Sequence, residues 1–149
     1  VMNYQHIWDK TLVEGEKVEY EFSVSSRFRK VYLIVWSIIS LILLPAAGIG
    51  ILTFLIALLY FAFYLQRANA YAFTKKRVLV HKGWLSTNAI SVDFNQITDV
   101  TVVERFFDRL LTKTGSLAIN TAGTTKHEIA LKNIDRPYEV KKKLDEIRK

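Results

Sequence analysis

The sequence predicts a two-helix transmembrane hairpin followed by an all-β sandwich or partly open barrel, capped by one C-terminal α-helix. Three observations predict it. From Val31 to Gln66, 36 consecutive residues include no Asp, Glu, Lys or Arg. Beyond Arg67 apolar and polar residues alternate with period two, as half-buried strands require. From Asp135 onward apolar residues recur at helical spacing among charged ones. The expected organisation is a cytoplasmic segment over residues 1–30, the hairpin over 31–66 and a cytoplasmic β domain over 67–149.

In the first segment Met2 to Lys30 carries acidic and basic residues in equal number, and the apolar block starts too late and runs too long for a signal peptide. Val18, Tyr20, Phe22 and Val24 alternate with Glu19, Glu21 and Ser23, which predicts a strand over Lys17 to Ser25. That strand could rejoin the β domain if both lie on one side of the membrane.

The apolar block comes next. At about 1.5 Å per residue it would form a rod of about 54 Å, against a hydrocarbon core of about 30 Å. Two short passes fit that length better than one. Pro45, Gly48 and Gly50 supply a turn, since proline lacks an amide donor and glycine permits helix-ending angles. Arg27, Arg29 and Lys30 precede the block, Arg67, Lys75, Lys76 and Arg77 follow it, and the turn is uncharged. Basic flanks on both sides place both ends in the cytoplasm. Tyr32 and Trp36 at one end, and Tyr60, Phe61, Phe63 and Tyr64 at the other, would share one interface. Two alternatives stay open: a hairpin buried in a soluble protein, and a single span from about Ile49 to Leu65 with the preceding segment in the interface.

Strands are expected at Ala70–Thr74, Arg77–His81, Ile90–Asn95, Gln96–Val103, Leu117–Thr121 and Ile129–Lys132. Lys75-Lys76, Lys82-Gly83, Thr114-Gly115 and Ala122-Gly123-Thr124 read as turns between them. Asp135-Arg136-Pro137 starts the last helix, with Val140, Leu144 and Ile147 on its apolar face.

The order Tyr71-Ala72-Phe73-Thr74-Lys75-Lys76-Arg77, Gly83, Ile97 through Val100, Asp108-Arg109-Leu110, Gly115 through Gly123 and Ile129 through Ile134 resembles the bacterial PH-like domains of the YdbS/YdbT type, the membrane-flanked domains. Thr112-Lys113-Thr114 departs from that pattern, displacing the glycine that usually follows the Arg-Leu pair. The resemblance covers most of Arg67 to Lys149. It implies a PH-like sandwich of two antiparallel sheets closed by the C-terminal helix, and no catalytic chemistry.

No enzyme signature accompanies it. Cysteine is absent, which excludes disulfides, thiol nucleophiles and cysteine-ligated zinc. His6, His81 and His127 lie far apart, and His127 and Glu128 would point to opposite faces of a strand. There is no phosphate-binding loop and no nucleophile elbow. Neither a catalytic residue, a metal site nor a cofactor is therefore expected.

The charge of +7 arises wholly from Arg67 onward, where 16 Lys or Arg face 9 Asp or Glu. Lys75, Lys76, Arg77 and Lys82 are candidates to hold an anionic lipid headgroup, as the corresponding hairpin does in eukaryotic PH domains; a solvated turn is the alternative. Phe106 and Phe107 are candidates for a subunit contact or for insertion into lipid, or else plug an open end of the sandwich. Nothing resembles a nucleic-acid recognition element. The function expected is a non-enzymatic, membrane-anchored adaptor, multi-pass in the cell membrane, with both termini cytoplasmic. Its partners would be the bilayer itself, a second copy or other membrane proteins; the alternative is a reader of anionic phospholipids.

Overall fold

The computed structural model describes residues 4–46, 48–84, 86–122 and 129–149. Ala47 of the expected hairpin turn, Gly123 and Thr124 of the last β turn, and the His127–Glu128 pair lie outside them. Among the described residues seven strands form two antiparallel sheets. The first runs β1 (Val18–Ser23), β2 (Asn69–Thr74), β3 (Arg77–Lys82), β4 (Asn88–Asp93); the second runs β5 (Ile97–Val103), β6 (Thr114–Thr121), β7 (Ile129–Asp135).

Period-two alternation builds the core between them. Tyr71 and Phe73 of β2 and Val78 and Val80 of β3 face Leu117, Ile119, Leu131 and Ile134 of the second sheet. Helix α5 (Pro137–Arg148) closes one end by burying Val140 and Leu144. Its proline sits in the first turn, where no amide donor is needed.

The other face of the first sheet is also covered. Ala70 and Ala72 leave room there for Trp8 of α1 (Gln5–Trp8), which is only 2 % exposed and packs with Tyr4 and Leu79. β1 pairs with β2 from Val18↔Thr74 to Ser23↔Ala70 and adds Tyr20 and Phe22 to the rings of Tyr71 and Phe73. The segment before the apolar block is thus part of the sandwich.

Between β1 and β2 the chain leaves as a helical arm: α2 (Ser26–Ile42), α3 (Ile49–Leu58), a π-helical turn Leu59–Tyr64, and α4 (Leu65–Ala68). Ser25 starts α2 by accepting a hydrogen bond from Arg27 N at 3.2 Å, and its own N–H donates to Asn133 O of β7 at 2.8 Å. The return is fixed by Tyr4 Oη donating to Gln66 O at 3.3 Å and by Ser23 Oγ donating to Asn69 O. Tyr32 stacks on Phe61 at 5.9 Å, so aromatics from the two legs of the arm do meet.

The expected two-helix transmembrane hairpin is corrected here. Among the described residues a single helix, Ile49–Ala68 with its 20 residues, is long and apolar enough to cross a membrane. The reason is the placement of the turn. Helix α2 spends its first turns on Ser26, Arg27, Arg29 and Lys30, and its charge-free part from Val31 to Ile42 reaches only about 18 Å. Pro45 divides the apolar block unequally, which a count of 36 residues conceals.

Candidate functional site

The two ends of the sandwich differ in chemistry. At the end far from the arm, the two-residue turn Lys75-Lys76 joins β2 to β3. Thr74 shapes it by accepting from the N–H groups of Lys76 and Arg77 at 3.2 and 3.1 Å. Thr74 Oγ1 also donates to Glu16 Oε1 at 2.7 Å. Glu16 comes from the chain ahead of β1 and takes a forked pair of bonds from Arg77, with Nε to Oε1 at 3.0 Å. Arg77 further donates to Thr11 O at 3.1 Å and Ser91 Oγ at 3.0 Å. The side chains of Arg77 and Glu16 are 17 % and 11 % exposed. The guanidinium holds the Glu16 carboxyl well below the usual carboxylate range, at about 2, and Glu16 in turn raises Arg77.

The candidate headgroup cations are therefore divided. Lys75 and Lys76 are exposed at the turn, with Lys75 3.8 Å from Glu19. Arg77 is occupied by Glu16. Lys82 stands at the opposite end of β3, about 17 Å of strand away. Its Nζ donates to Ala130 O at 3.3 Å, and burial beside Lys132 lowers its pKa. A cleft of about 430 Å³ beside the turn is lined by Glu14, Glu16, Glu19 and Asp93 as well as by the cations, so its charge is mixed.

At the arm end the surface is apolar. The Gly83 amide donates to Ala68 O at 2.7 Å, which ties the β3–β4 turn to the end of α4. Trp84, 57 % exposed, faces the arm across a cleft of about 650 Å³. On the second sheet, Phe106 and Phe107 lie before a π-helical turn, Asp108–Thr112, that packs against α2. They are 72 % and 70 % exposed, and Leu110 and Leu111 continue the patch. Thr112 and Thr114 share a buried hydroxyl hydrogen bond of 2.6 Å, which anchors the loop where glycine was expected. Lys113 between them adopts the left-handed conformation, at φ 52°.

No group of His, Asp or Glu among the described residues is arranged to hold a metal. His6 and His81 lie in α1 and β3, on separate elements. Sequence reasoning missed the Glu16–Arg77 pair, the Trp8 cover and the Trp84 cleft. Exposed Trp84 beside Gly83 was the signal available for the last of these.

Two antiparallel sheets sharing one core, with a C-terminal helix closing one end, define a PH-like fold. The bacterial PH domain family matches residues 24–148, and the chain belongs to that family. The match includes the arm. The chain is also similar to the crystal structure of a DUF1696 family protein with a pleckstrin-homology domain from Shewanella loihica PV-4. That likeness has a TM-score of 0.53 at 12 % identity over 99 % of this chain and 98 % of the other, and it concerns the fold. No curated protein matches the chain.

Proposed function

We propose that this bacterial PH domain protein is a non-enzymatic adaptor, associated with the membrane through its apolar arm and assembling with further copies of itself. The observation that carries the assembly is the Phe106–Phe107–Leu110–Leu111 patch. Four large apolar side chains, each at least 60 % exposed, follow one another along the β5–β6 connection beside α2 of the arm. Exposed apolar patches of this kind mark contact surfaces. The membrane part rests on the arm, where Ile34, Ile38, Leu41, Ile51, Leu52, Ile56 and Leu59 are all exposed and the Ile49–Ala68 helix has spanning length.

Chemical cross-linking of the full chain in native membranes tests the proposal. The wild type is expected to give discrete oligomers, and Phe106→Glu with Phe107→Glu is expected to leave mostly monomer in the same membrane fraction. A wild-type chain that stays monomeric overturns the adaptor reading. Equal oligomer in wild type and variant moves the contact off this patch.

A further inference from the structure

We propose that the cleft between Trp84 and the π-helical turn of the arm binds an anionic phospholipid, with Arg67 contacting the phosphate. The inference rests on the membrane reading above and deepens it by naming a lipid site. It also moves lipid recognition from the Lys75–Lys76 hairpin to the opposite end of the sandwich.

The cleft is apolar on both walls. Ile56, Leu59 and Phe63 line it from the arm and Trp84 from the β3–β4 turn. Among the described residues that line it, Arg67 is the one charged residue and none is a carboxylate. Among the described residues Arg67 has no ion pair, unlike Arg77 and Arg136. An unneutralised guanidinium at the mouth of an apolar cleft complements a ligand with an anion at one end and hydrocarbon behind it. A phospholipid has that form, and its phosphate oxygens match the guanidinium fork.

The backbone fixes both walls. The helix widens into the π form over Leu59–Tyr64, a conformation often found at functional sites. Tyr60 and Tyr64, four residues apart, stack there at 5.5 Å on the cleft lining. Opposite them, Gly83 has φ 96°, and a Cβ on it would lie 1.9 Å from Ser86 O. A side chain at this position would collide with Ser86, so glycine is needed where the chain leaves β3 for Trp84. Tryptophan and tyrosine rings are also the side chains enriched where lipid headgroups begin.

The test uses the full chain in phosphatidylcholine vesicles that contain a fixed fraction of either brominated phosphatidylglycerol or brominated phosphatidylcholine. Trp84 is one of three tryptophans, and its share of the fluorescence is the difference between wild type and Trp84→Phe. Brominated phosphatidylglycerol is expected to quench that share as though enriched about fivefold locally, the gain one basic residue supplies at an anionic surface. Arg67→Gln should bring the two lipids level, and Arg67→Lys should keep most of the preference. Equal quenching by both lipids in the wild type overturns the site and leaves the membrane reading standing. A chain that does not sediment with the vesicles overturns both. Relief of quenching by soluble glycerol phosphate would show that the cleft takes a free phosphate ester, which also overturns the lipid assignment.

Discussion

A carboxylate held at a pKa of about 2 by an arginine ties stability to pH in one direction. The folded pKa of Glu16 lies below the ordinary value of 4.5, so its contribution is fully present above about pH 4.5 and is lost as pH falls toward 2. At about 1.4 kcal/mol per pKa unit the shift sets an upper bound of about 3 kcal/mol, which solvent screening at the edge of the sandwich reduces. Glu16→Gln should therefore lower stability at neutral pH and flatten its decline below pH 4.5. Urea denaturation followed by circular dichroism between pH 7 and 2.5 checks this; parallel declines in wild type and variant would show that other carboxylates set the acid limit. Nothing in the sequence announces the pair, because Glu16 and Arg77 are 61 residues apart and Arg77 sits in a run of cations that reads as solvated. A residue-level reading saw the charge of Arg77 and could not see who neutralised it. Trp8 was hidden for a similar reason. Its partners Ala70 and Ala72 are small, and small residues give no signal of what they make room for.

At the level of elements, β1 and β7 were legible from period-two alternation, β2 and β3 as short β-prone runs that are buried on both faces, and α5 because Val140 and Leu144 keep helical spacing after a proline start. The arm was legible as apolar and as turning near Pro45, while its division was not. The legs cross where Gly50 meets Ser40. A Cβ on Gly50 would lie 2.3 Å from Ser40 O, and Thr53 Oγ1 donates to Ser40 Oγ at 3.1 Å. Small and hydroxyl side chains at a helix crossing permit this approach. A Ser40→Cys, Thr53→Cys chain, otherwise free of cysteine, should therefore oxidise readily to an intramolecular disulfide. Adding Gly50→Val should cut the yield severalfold by forcing the legs apart. Non-reducing electrophoresis after mild oxidation reads both, and an undiminished yield in the triple variant would remove Gly50 from the crossing. The π turns at Leu59–Tyr64 and Asp108–Thr112 could not be read in advance, since apolar spacing does not separate a single widened turn from an ordinary helical one.

For the whole molecule, the first sheet is assembled from both sides of the arm. The isolated 67–149 segment lacks β1, the Trp8 cover and the Glu16 partner of Arg77, and it should fail to unfold cooperatively in calorimetry. A chain in which a short glycine-rich linker joins Val24 to Asn69 should fold, because Ser23 and Ala70 are already paired neighbours. A cooperative transition from the isolated segment would show that β1 is dispensable. The same pairing governs how the molecule would answer to tension. A pull on the arm away from the sandwich loads the β1–β2 ladder at its Ser23↔Ala70 end, so the backbone bonds meet the load one after another, as in a zipper, and not all together. The ladder then opens stepwise toward Val18↔Thr74, where Glu16 and Arg77 wait as the last stop. The β1–β2 ladder at the root of the arm is thus weak against a pull along that one axis, a mechanical fuse between the arm and the sheet.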